Sequence, residues 1–140
     1  MNRLQPYLIF ALISLLLYGL WGFFPKLASN ANIDARSILV FEAIGTLAIA
    51  FVVLFAIGFK PTFNGKGFVF ALLAGIAGAV GSLFFLLALS RGKASVVVTM
   101  TALYPLVVII LSTIILKEPI TLKQGIGILF ALAAVVMFSI

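Results

Sequence analysis

The chain has 140 residues, 65% of them hydrophobic and 9% charged, with a formal net charge of +6. A typical soluble domain carries roughly 25% charged residues, and the absence of cysteine and histidine removes disulfides, thiol nucleophiles and the commonest metal ligand and general base. With only Asp34, Glu42 and Glu118 as carboxylates, far apart in sequence, the composition excludes a soluble enzyme and gives no basis for a catalytic, metal or cofactor site.

The charges cluster at the ends of apolar runs. Residues 4–25, 67–90 and 94–116 carry none, residues 37–59 carry only Glu42, and residues 124–140 again carry none. A helix needs about 20 apolar residues to cross the hydrocarbon core. Nothing alternates with the period of a barrel strand, so the runs predict an all-α integral membrane protein with five transmembrane helices. The basic residues then belong beside anionic head groups, with no nucleic acid as partner.

The first predicted helix covers 6–24. Pro6 suits a first turn, where its missing N–H has no intrahelical partner, and Pro25 ends the run. Ser29-Asn30-Ala31 resembles a signal-peptide cleavage site, but the preceding apolar stretch is longer than the usual 7–15 residues, so no cleavage is expected. Ser14, Tyr18, Trp21 and Pro25 share one helical face. Tyr18 and Trp21 are candidate aromatic walls of a binding site, against the plainer reading of interfacial or core aromatics.

Asp34 is expected to cap the second helix, 36–58, by meeting its orphan N–H groups. Glu42 lies one to two turns inside. A carboxylate near the bilayer centre is unfavourable by roughly 2.5–3.5 kcal/mol on insertion scales, so such residues face protein or water. Two readings stay open for Glu42: a transport role, through proton coupling or substrate contact, and a structural ion pair. Thr46 is its one polar helical neighbour. Lys26, at the same interface, is the expected counter-ion, because Arg36 falls on another face.

After a 60–66 turn, in which Asn64-Gly65 permits positive φ, the third helix covers 67–89. Gly75, Gly78 and Ser82 recur on one face, which predicts a helix-packing seam. The fourth helix, 95–116, is expected to be capped by Ser95. Mid-helix Pro105 removes a backbone hydrogen bond and frees a carbonyl near Thr101. Broken helices of this kind line transporter sites. That makes Thr101 and Tyr104 candidate hydrogen-bonding contacts and Pro105 the break, against a passive kink. Glu118, between Lys117 and Pro119, reads as a boundary residue. Thr121 and Gln124 have the spacing of a capping box opening the fifth helix, 121–140.

Five crossings put Arg3, Lys60, Lys66, Lys117 and Lys123 on one side and Lys26, Arg36, Arg91 and Lys93 on the other. Basic-residue bias sets orientation, and five against four is close to none. A weak preference for a cytoplasmic N-terminus and dual topology both stay open.

At helices four and five, and with a similarity that extends over essentially the whole chain, the sequence resembles an EamA-type domain of the drug/metabolite transporter (DMT) superfamily. The matching features are Ala88, Gly92 and Ala94 at the helix 3–4 turn, Pro105, Glu118, Thr121, Gln124 and Gly127, joined by Trp21, Lys26 and Arg36 earlier in the chain. Most members of that superfamily carry two five-helix halves in inverted orientation. The resemblance therefore implies one half of the ten-helix inverted-repeat fold, as in the small single-repeat bacterial and archaeal branch, with residues 1–140 as a single domain. It implies a plasma-membrane transporter, exporting or exchanging small metabolites or drugs by alternating access, that works as an antiparallel homodimer. Glu42 does not map onto a motif common to the superfamily. The alternative is a non-transporting assembly subunit or a lipid-handling partner of a larger complex.

Overall fold

The computed structural model describes residues 6–139; Arg3 and Ile140 lie outside them. Among the described residues the chain is helical throughout, with no strands. Two compact units meet in sequence at Arg91 and Gly92.

The first unit holds three long helices, α1 (Pro6–Asn30), α2 (Ala35–Ala56) and α3 (Gly65–Arg91). Each is long and apolar enough to cross a membrane. At 1.5 Å per residue the shortest is about 33 Å long, close to the roughly 30 Å of hydrocarbon.

Their ends follow from local chemistry. Helix α1 passes through Pro25 and ends six residues later than the predicted 24. A proline in a membrane helix is tolerated where its surroundings satisfy the freed backbone. The actual stop is Asn32, at φ 63°. There the N–H of Ile33 donates to the carbonyl of Ala28 (3.2 Å) and that of Asn32 to Ser29 (3.1 Å), the paired bonds of a Schellman end. Helix α2 ends the same way: Gly58 sits at φ +62°, Phe59 N–H reaches the Leu54 carbonyl at 2.9 Å and Gly58 N–H the Phe55 carbonyl at 3.0 Å. Only glycine takes that conformation without a Cβ penalty.

Helix α2 opens on Asp34, whose carboxylate accepts the N–H groups of Arg36 (2.9 Å) and Ser37 (3.3 Å) and the Ser37 hydroxyl. The segment before α3 departs from expectation. Among the described residues Gly58 is the glycine with positive φ, and Gly65 instead begins the helix. Asn64 caps it, with its side-chain oxygen accepting the Gly67 N–H at 3.1 Å. The side-chain cap satisfies an orphan donor that a tight turn would leave open.

The unit closes at one end. Ala35, Ile38, Phe85, Leu86 and Leu89 are its buried residues, joining the start of α2 to the last turns of α3, with Ala28 and Ile33 against them. Most other large apolar side chains along the three helices are exposed, as suits a lipid environment.

The second unit begins with a span of membrane length, Ala94–Leu116, built in three pieces: α4 (Ala94–Thr101), α5 (Tyr104–Leu111) and a π-helical turn (Ser112–Leu116). Ser95 is not the cap of α4. Lys93 occupies that position without a side-chain bond, and the Ser95 carbonyl accepts from the Thr99 hydroxyl at 2.6 Å. The last helix is α6 (Leu122–Ser139), shorter than the four spans of membrane length. It opens on the expected capping box: Thr121 N–H donates to Gln124 Oε1 at 2.8 Å and Gln124 N–H to Thr121 Oγ1 at 3.3 Å.

Candidate functional site

Glu42 lies seven residues into α2, about 10 Å along the helix at 1.5 Å per residue. Its carboxylate is held from α3: Ser82 Oγ donates to Glu42 Oε2 at 2.8 Å. The second oxygen, Oε1, is buried and has no hydrogen-bond partner. Thr46 does not serve it, because its hydroxyl donates instead to the Glu42 backbone carbonyl at 3.0 Å.

The expected Lys26–Glu42 pairing gives way to another arrangement. Lys26 Nζ donates to the backbone carbonyl of Leu89 at 2.8 Å. Leu89 is in the last turn of α3, where carbonyls lack intrahelical partners and a cation meets the negative end of the helix dipole. That acceptor draws the ammonium, and the Ser82 hydroxyl takes the carboxylate. Helix α3 therefore holds both ionisable groups, through two different atoms.

Trp21 stacks on Phe85, with ring centroids 5.1 Å apart and an interplanar angle of 14°. The indole and Glu42 line one apolar pocket of about 260 Å³, together with Phe24, Pro25, Ile38 and Phe41. Pro25 has no N–H to offer the Trp21 carbonyl one turn earlier, although α1 continues as a helix through it. Of the residues predicted from the first two helices, Trp21 and Glu42 share this pocket. Tyr18 stays outside its lining and is 65% exposed.

Gly75 and Gly78 have open space where a side chain would stand, with no neighbour within 4 Å. The close approach expected of that stripe is therefore not made at the two glycines among the described residues, and Ser82 is the member that contacts another helix. Ser82 belongs to that face as a small residue, but it is its hydroxyl that makes the contact. Its spacing of three from Phe85 was the available signal that polar and aromatic groups share that face.

In the second unit, the break expected at Pro105 is present. Residues 102 and 103 are non-helical, and Pro105 lies in the first turn of α5. The Thr101 hydroxyl turns back to the carbonyls of Val97 and Val98, each at 3.0 Å. Tyr104 is 63% exposed. A cleft of about 550 Å³ runs between α5 and α6, lined by Pro105, Ile109, Ser112, Thr113, Glu118 and Gln124 among others. Thr101 and Tyr104 lie beside it and not in its lining. Its far end is the π-turn, where Thr113 Oγ1 donates to the Ile109 carbonyl at 2.9 Å and Lys117 takes φ 56°. Such π-turns are rare and concentrate at functional sites.

Apolar helices of membrane length, with one span built in pieces, define a multi-pass membrane protein. The profile of the EamA-like transporter family matches residues 5–140, and the chain belongs to that family, whose members are transporters and not enzymes. It is similar to an uncharacterized protein of Methanocaldococcus jannaschii, at 30% identity over 133 residues, covering 95% of this chain and 96% of the relative. No solved structure matches the chain.

Proposed function

We propose that the protein moves small metabolites or drugs across a prokaryotic cell membrane by alternating access, as an exporter or exchanger, with Glu42 as the coupling group. The observation that carries this reading is the Glu42 carboxylate, set in an apolar pocket with one oxygen bonded to Ser82 and the other unpartnered. A carboxylate in such a place is unfavourable for insertion. A purely structural role would be expected to use both oxygens.

The working form in this reading is an antiparallel homodimer of two five-span copies. Two features support it: the near-even division of basic residues between the two sides, and the open faces at Gly75 and Gly78. Small residues with nothing against them let a second backbone approach closely. Proton coupling fits the same carboxylate, since a group that carries a proton in one step and a substrate in the next exchanges the two.

The test is flux from the purified protein alone. Liposomes containing it are loaded with a small-metabolite extract, and efflux is followed by mass spectrometry. Release of defined solutes above protein-free liposomes is the expected result. No release without a second protein would instead make the chain an assembly subunit.

A further inference from the structure

The pocket beside Glu42 offers a ligand one acceptor and a flat aromatic wall. Oε1 is buried with no donor, while Oε2 already holds the Ser82 hydroxyl. The remaining lining, which includes Trp21, Phe24, Ile38 and Phe41, is apolar. A bound proton neutralises the carboxyl and can be donated to the Ser82 hydroxyl oxygen, but it leaves the other carboxyl oxygen with no donor in the lining. A water needs two to four polar partners to settle in a cavity, and here the carboxylate is the one charged group in the lining. What satisfies Oε1 is a donor that brings its own apolar body.

We propose that this pocket binds a small organic cation with an N–H donor, a primary ammonium or guanidinium on a flat apolar group, with Glu42 Oε1 as its acceptor and the Trp21 indole as its wall. This rests on the transporter reading for its purpose and names the substrate class of that site. Charge selects the cation, because a charged donor bonds a carboxylate about twice as strongly as a neutral one. The wall adds selection of the same sign, since an aromatic face attracts a cation within about 6 Å and tryptophan does so best. At about 260 Å³ the space lies just under the roughly 300–1,000 Å³ of ordinary ligand sites, so the occupant is small. Trp21, backed by Phe85 at 5.1 Å, is held in place before the ligand arrives.

The chain has a single tryptophan, so intrinsic fluorescence reports on this pocket. Full-length protein in a nonionic detergent is titrated with benzylammonium, and in parallel with benzyl alcohol and benzoate as neutral and anionic bodies of similar shape. Benzylammonium is expected to change Trp21 emission saturably and the other two not to. Glu42→Gln is expected to weaken that binding by about tenfold or more while keeping its helicity and elution volume, because an amide oxygen still accepts from Ser82. In the wild type, benzylammonium is expected to protect Glu42 from modification by dicyclohexylcarbodiimide, read by mass, which requires no variant to fold. Equal response to the three probes, undiminished binding by folded Glu42→Gln, or no protection of Glu42 would each overturn the proposal. Benzylammonium that binds without any flux from liposomes would leave the site standing and remove the transport reading; flux of other solutes without benzylammonium binding would do the reverse.

Discussion

Ser82 and Glu42, forty residues apart, are joined by a 2.8 Å hydrogen bond that runs from the hydroxyl on α3 to the carboxylate on α2. It is one of the polar ties that α3 makes to other helices of the first unit. Another is the Lys26 ammonium on the Leu89 carbonyl. Both lie toward the end of the unit where Leu86 and Leu89 are buried, so polar and apolar packing hold the same region. The pocket of Trp21 and Glu42 lies beside it.

Removing the Ser82 hydroxyl should leave Glu42 with neither oxygen bonded. Hydrogen bonds to charged groups contribute about 1.5–3 kcal/mol in water-soluble proteins, and side-chain bonds between membrane helices average nearer 0.6 kcal/mol. Ser82→Ala is therefore expected to cost about 1–2 kcal/mol, measured by denaturant unfolding in mixed micelles. Glu42→Gln, which keeps an acceptor for Ser82, should cost less. The reverse order would separate the two residues.

Asp34 gives a pH dependence of known sign. The Ser37 hydroxyl, and then the backbone N–H groups of Arg36 and Ser37, hold its carboxyl below the usual aspartate range. A lowered folded value means that the unfolded chain binds the proton more readily. The contribution of Asp34 is thus fully present above about pH 4, the ordinary aspartate value, and is lost as pH falls through the lower folded value. Asp34→Asn keeps a capping oxygen without the titration. The stability difference between wild type and Asp34→Asn should shrink over that acid range and stay constant above it, as followed by unfolding at stepped pH.

The buried end of the first unit should dominate its stability. Leu86 is 2% exposed and Leu72, on the same helix, 53%. Leu86→Ala opens a cavity that its neighbours only partly fill and should cost about 2–3 kcal/mol. Leu72→Ala, facing lipid or detergent, should change stability by no more than about 0.5 kcal/mol. Unfolding of the two variants side by side gives the comparison.

Dual insertion is testable because the chain contains no cysteine. Thr62 is exposed in the connection between α2 and α3. Thr62→Cys should react with a membrane-impermeant maleimide from outside intact cells in one fraction of molecules, and only after lysis in the rest. Complete labelling from a single side would fix one orientation and remove the antiparallel pair.

Signals confined to a few residues were legible in the sequence. The Asp34 cap and the Thr121–Gln124 box each depend on chemistry within one turn, and each formed as read. Pro25 misled because the cost of a proline depends on what surrounds the freed carbonyl, which is tertiary information; Asn32, ahead of apolar Ile33, was the true stop. At Pro105 the steric rule was enough to place the break. The pairing of charges was not legible. Lys26 found a backbone carbonyl on α3, and backbone acceptors leave no trace in sequence, while Ser82 was hidden among the glycines of its face.

The most direct measurement is solute efflux from liposomes holding wild-type protein or Glu42→Gln at equal, folded amounts. Flux that falls by about tenfold or more in Glu42→Gln, a loss of at least ~1.4 kcal/mol of coupling, is the result expected. Equal flux with the same solute preference would contradict the role given to Glu42.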